Sequence, residues 1–164
     1  DDVLVEGHWA RANPQAMGHG QPALLIVHGP DAYVSASWYP DKAEQARVPT
    51  WNYSTAHLYG TLESFDGEAA LIDLLERTSE RFELRCGGDW RFNAANPDER
   101  AQVRGILGFR LRPARIQVKD KLSQNHPLAN RMAVIAKLER QEDAGARQIA
   151  CLMQRTLEDS HDAT

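Results

Sequence analysis

Residues 29–60, GPDAYVSASWYPDKAEQARVPTWNYSTAHLYG, constrain the fold of this chain more than any other stretch. Two aromatic runs, Tyr33–Trp38–Tyr39 and Trp51–Tyr53, bracket a polar loop that carries Lys42 and Arg47. Each run meets a proline, Pro40 or Pro49, and each reads as a strand end feeding a loop. Aromatic residues at this density fit a pleated, half-buried surface. The same rings, with hydroxyls and an amide beside them, also suit a flat, partly polar ligand.

The flanking sequence extends this pattern. VLVEGHWA alternates as a strand does, with Val3 and Val5 on one face. Residues 11–20 hold Asn13-Pro14 and two glycines, which predicts a loop or a short helical turn. Residues 23–28 and 32–37 read as a hairpin joined at Gly29-Pro30-Asp31, and residues 51–65 as the next extended stretch. Asp66 is a fair N-cap for a helix with Leu71, Leu74, Leu75, Thr78 and Phe82 on one face, ended by Cys86-Gly87-Gly88. Asn96-Pro97 opens a second helix with Val103, Ile106 and Leu107 inward. Residues 109–121 are extended again, broken at Pro113. Pro127 opens a third helix, and residues 144–157 form a fourth with Ile149, Leu152, Met153 and Leu157 inward. Strands come first and helices cluster late, which is α+β and not a βαβ series.

At 164 residues the chain is one domain, or one domain with a helical tail. A formal net charge of -4 excludes a generally basic nucleic-acid coat while permitting a local patch. Cys86 and Cys151 form no CxxC, so neither a disulfide framework nor a zinc knuckle is indicated. No apolar run approaches a membrane span and no leader stands at the start, which predicts a reduced, cytoplasmic protein. Gly18-His19-Gly20-Gln21-Pro22-Ala23 matches the dinucleotide fingerprint formally. That motif must follow a strand and open a helix; here it precedes an apolar strand, and it is rejected.

Three groups could carry chemistry. Arg110, Arg112, Arg115, Lys119 and Lys121 form basic stripes on an extended segment, and Lys121 leads directly into Ser123-Gln124-Asn125. That triplet offers a hydroxyl and two amides just before a helix N-terminus, where free N–H groups favour an anion; capping of the helix by Ser123 or Asn125 is the plainer alternative. Arg131 lies one turn into the same helix. In Thr50-Trp51-Asn52-Tyr53, strand parity sends Trp51 and Tyr53 to one face and Thr50 and Asn52 to the other, so only one pair can line a given face. The six histidines show no metal-ligand spacing, and no serine sits in a GxSxG elbow.

GPDAYVSASWYP, then VPTWNY, then KLSQNHPLANRMAVIAKL resembles the PaiB-like family of FMN-binding negative transcriptional regulators, in order from about Gly7 to about Leu138. Family members usually carry a further segment ahead of the point matching Gly7. Two local departures are Asn130, where aspartate is usual, and Ala133, where glycine is frequent.

The resemblance implies an α+β, mainly antiparallel split β-barrel of the FMN-binding type over residues 1–122, with inserted helices at about 66–108. Residues 123–164 would form a helical segment packed on it. It implies a homodimer with FMN near the subunit interface. The aromatic runs exceed what one barrel of this size covers, which predicts Trp38 or Trp51 at or near that interface. Lys121 would hold the FMN phosphate with Arg131 or Arg47 assisting; Ser123, Gln124, Asn125 and Asn52 would address polar groups; Trp51 or Trp38 would cover the ring. The word "regulator" comes from the resemblance alone. No helix-turn-helix pair with a basic recognition helix is visible, so direct DNA contact has little support in the residues. A flavin-dependent oxidoreductase acting on a small substrate is the alternative, and any redox chemistry would come from the flavin.

Overall fold

A computed structural model describes residues 3–162, with side chains through residue 159. The order of elements is β1 (Val5–Ala10), β2 (Pro22–Val34), β3 (Thr50–Phe65), α1 (Glu68–Cys86), α2 (Pro97–Gln102), β4 (Ile106–Lys121), α3 (Leu128–Leu138) and α4 (Ala144–Asp162). Single 3-10 turns stand at Pro14–Met17, Ala36–Trp38 and Val103–Gly105. The strands form one sheet in the order β1-β4-β3-β2. β1 runs antiparallel to β4, with Val5 opposite Leu111 and Ala10 opposite Ile106. The α+β, antiparallel expectation holds.

Two expected strand breaks are absent. Gly29-Pro30-Asp31 is not a turn: β2 runs unbroken through it. Gly29 is there for close approach, since a Cβ at that position would lie 2.9 Å from the Ser54 carbonyl oxygen. Pro30 is tolerated because β2 is an edge strand, where a missing N–H leaves no ladder bond unmade. β4 likewise continues through Pro113, because β1 pairs only with Ile106–Leu111 and demands no N–H farther along.

The chain divides into two compact units. One combines residues up to 25 with residues 58–115; the other combines residues 26–57 with those from 116 onward. In the first, Leu71, Phe92 and Val103 form a buried cluster against which Phe65, Ile72, Leu75 and Ile106 pack. Gly67, not Asp66, occupies the N-cap of α1, and Gly87 closes it in the left-handed conformation at φ 77°. Phe82, expected inward, is 56% exposed. The cluster under α1 draws on Leu71, Ile72 and Leu75 of its first half and does not include Phe82. The second helix is capped by Asn96, as its sequence predicts, but ends at Gln102; Ile106 and Leu107 belong to β4.

Gly60 offers a local test of this unit. A Cβ there would meet the Arg112 carbonyl oxygen at 2.6 Å, a backbone atom that cannot swing aside. Gly60→Ala is expected to cost about 1–3 kcal/mol as an overpacking change. Urea unfolding with an unchanged slope and a lower midpoint would register it.

In the second unit, Val34, Tyr39 and Leu122 meet Val134, Ile135 and Leu138 of α3 and Ala146, Ile149, Ala150 and Met153 of α4. Leu152 and Leu157 flank this core, so the face read for α4 is the one it buries. Pro127 takes the N-cap of α3 with no side-chain cap bond, so neither Ser123 nor Asn125 is used for capping.

Candidate functional site

All the residues that follow lie in the second unit. The alternation along the start of β3 divides its side chains between two cavities. Thr50 and Asn52 line a cavity of about 290 Å³ with Tyr39, Arg47, Val48, Lys121, Ser123, Asn125 and His126. Trp51 and Tyr53 line another of about 720 Å³ with Ile26, His28, Thr55, His57, Val118 and Lys119. The larger lies within the range of small-molecule sites and has an aromatic wall, with Tyr33 edge-on to Trp51 at 5.9 Å.

Lys121 joins the two. Its Nζ donates to the Thr50 hydroxyl and, at 2.8 Å, to the Trp51 carbonyl, the residues whose side chains diverge. An ammonium has three N–H donors, so one is left for a ligand. Ser123 is buried and adopts φ 59°, an unusual conformation for a non-glycine residue. Its hydroxyl donates to Asn52 Oδ1 at 3.1 Å, while Asn52 Nδ2 points to Met153 Sδ at 3.4 Å. Asn52 is fully buried, so these two contacts fix its amide. Backbone held in a sparse region by surrounding contacts is a common property of ligand sites.

The structure thus gathers Arg47, Asn52, Lys121, Ser123 and Asn125 around the smaller cavity. The other four residues singled out in the sequence go elsewhere. Trp51 faces the larger cavity. Gln124 accepts from the Leu122 N–H and donates to the Asp120 carbonyl, both at 2.7 Å, which fastens the turn carrying Ser123. Arg131 donates to Thr156 Oγ1 at 2.6 Å and so ties α3 to α4. Trp38 packs against the buried cluster of its unit.

Three residues at this site were not singled out by the sequence reading. Asp41 forms a two-pronged ion pair with Arg47 and accepts from Asn130 Nδ2 at 3.0 Å. Asn130 is neutral; a carboxylate at its position would face Asp41 with like charge. Tyr39 and His126 stack with centroids 4.7 Å apart and planes inclined by 2°. Tyr39 belongs to the first aromatic run and His126 directly follows Asn125, so their sequence positions offered the available signal. Burial, followed by the charge of Arg47, lowers the His126 pKa, which keeps the ring neutral near pH 7.

The Arg47 and Asn130 hydrogen bonds hold the Asp41 carboxyl at about 2, below its ordinary 3.8. A depressed carboxylate supports the fold above its unfolded pKa and loses that support as pH falls through the folded value. The Asp41 contribution is therefore complete above about pH 4 and disappears toward pH 2. An NMR titration of the Asp41 carboxyl carbon should give a midpoint near 2, and Asp41→Asn should remove that part of the acid dependence.

Among the described residues, no group of three or more His, Cys, Asp or Glu could hold a metal ion. No helix among them is long and apolar enough to cross a membrane.

A family model described as "Putative FMN-binding domain" matches residues 1–115. The Bacillus subtilis (strain 168) protein named "Protease synthase and sporulation protein PAI 2" is 32% identical over 160 residues, 96% of this chain and 75% of its own length. An uncharacterised Saccharomyces cerevisiae protein is 31% identical over 80 residues, 46% of this chain and 47% of that protein. In fold the chain is similar to the flavocytochrome Anf3 from Azotobacter vinelandii, with a TM-score of 0.51 at 18% identity, over 73% of this chain and 50% of that one. The chain therefore spans three quarters of the Bacillus protein and about half of the Azotobacter one.

Proposed function

The chain belongs to the PaiB-like family of FMN-binding proteins, and on that premise we propose that it binds FMN and acts as a homodimeric, flavin-dependent regulator. The observation that carries the flavin reading is the position of Lys121. Its ammonium bonds Thr50 of the small, donor-rich cavity and the backbone of Trp51, which walls the large aromatic one. FMN presents the matching pair of demands: a phosphate that wants cations and N–H or O–H donors, and a ring system that wants aromatic cover.

The residues fit each part. Lys121, with Arg47 and Asn125, supplies the donors around the smaller cavity. Trp51 and Tyr53 supply the aromatic surface of the larger cavity. Bound FMN would bring its own redox chemistry; the chain contributes binding and orientation.

Several large apolar side chains of the same unit are exposed, among them Ile26, Tyr33, Trp51, Ile116 and Val118. A surface of this kind supports an interface, and a two-fold dimer is the simplest assembly that would cover it. The regulatory role is the family's reading, with DNA or another macromolecule as the partner that the flavin state would control. A purified sample that is yellow, binds FMN more tightly than riboflavin and sediments as a dimer at micromolar concentration is the expected result. Failure to bind FMN at high micromolar concentration would overturn the flavin reading. Turnover of a nicotinamide donor under air would favour an oxidoreductase instead.

A further inference from the structure

The smaller cavity contains two polar atoms that the protein leaves unsatisfied. Tyr39 is 1% exposed, yet its Oη has no hydrogen-bond partner. The Ser123 hydroxyl is a hydrogen-bonding neighbour of the phenol, but its one proton goes to Asn52 Oδ1 and no bond of good geometry joins it to the Tyr39 Oη. His126, stacked flat on the Tyr39 ring, has a buried and unpartnered Nδ1. A buried polar group without a partner keeps its full desolvation penalty. Two on one stacked pair, both lining a formed cavity, call for an occupant that satisfies them.

The surrounding groups define its chemistry. Lys121 keeps one free N–H after bonding Thr50 and the Trp51 carbonyl. Arg47 is neutralised by Asp41, so Lys121 leaves the cavity with one uncompensated cation. Neutral histidine can donate from Nδ1, and a phenol donates readily. Donors from an ammonium, a phenol and an imidazole beside one surplus positive charge suit an oxyanion. The volume suits a phosphate-sized group, not a whole nucleotide.

We infer that Tyr39 and His126 are ligand-binding residues whose Oη–H and Nδ1–H donate to a phosphate-type oxyanion held against Lys121. The flavin reading supplies only the molecule that carries this phosphate. The inference about the two donors stands on the cavity itself.

Tyr39→Phe keeps the ring and deletes the hydroxyl alone; His126→Phe keeps a ring and deletes both imidazole nitrogens, the orphaned Nδ1 among them. Calorimetric titration of the wild type and both variants with FMN, riboflavin and inorganic phosphate separates the cases. The expected result is a loss of about tenfold in FMN affinity for each variant, with riboflavin affinity changed less than twofold. The melting temperature without ligand should hold or rise, because an unsatisfied group has been removed. If the wild type binds FMN and both variants bind it equally well, the inference is wrong while the flavin reading survives; water is then the occupant. If the wild type binds no FMN, the flavin reading fails and phosphate decides. Phosphate binding that Tyr39→Phe abolishes sustains the inference, and no phosphate binding overturns it.

Discussion

Lys121→Ala should weaken FMN binding by tenfold or more, while Lys119→Ala should change it far less. Lys121 is pinned by the Thr50 hydroxyl and the Trp51 carbonyl, so its third N–H is already oriented when a ligand arrives. A charge-assisted hydrogen bond contributes about 1.5–3 kcal/mol, and ~1.4 kcal/mol is a factor of ten in affinity. Preorganisation places the expected loss in the upper part of that range, because little side-chain entropy remains to be lost on binding. Lys119 is exposed and lines the larger cavity, on the other side from the donors around Lys121. Fluorescence titration of both variants makes the comparison, and equal FMN affinity with and without Lys121 would refute its assignment. Lys121→Arg is not a conservative control, since a planar guanidinium cannot reproduce the geometry of these two bonds.

Ile149→Ala should lower unfolding free energy by about 2–5 kcal/mol, through lost burial and the cavity left behind. Ile149 is 0% exposed in a cluster drawn from β2, α3, α4 and the segments at Tyr39 and Leu122. For a chain of this size the corresponding fall in melting temperature is roughly 4–20 °C. Leu84→Ala, at a residue 66% exposed on α1, should change stability by less than about 0.5 kcal/mol. The contrast tests burial, because leucine and isoleucine remove similar amounts of apolar surface when truncated. Equal losses at the two positions would mean that the α3–α4 core is packed differently from the structure described above.

Much of this protein could be read from local pattern. The strand at 50–65, the Asn96 cap, the Gly87 terminator and the inward face of α4 all follow from residues close in sequence. Alternation along Thr50-Trp51-Asn52-Tyr53 required that the two pairs part company, and they do so into separate cavities. What the residues left open was settled by contacts across long stretches of chain. Gly29-Pro30-Asp31 has turn chemistry, but the approach of Ser54 and an edge position keep it extended. Gln124 has ligand-binding chemistry, but Leu122 and Asp120 take its hydrogen bonds, and Arg131 turns one N–H to Thr156 across α3 and α4. His126 looks like any surface histidine until the Tyr39 ring lies against it, 87 positions away. Periodicity and capping are set within a few residues, so sequence alone determined where most elements lie and the face that α4 buries. Whether a polar side chain is spent on the scaffold or left for a ligand depends on distant partners, and only the tertiary structure brings those partners within hydrogen-bond reach.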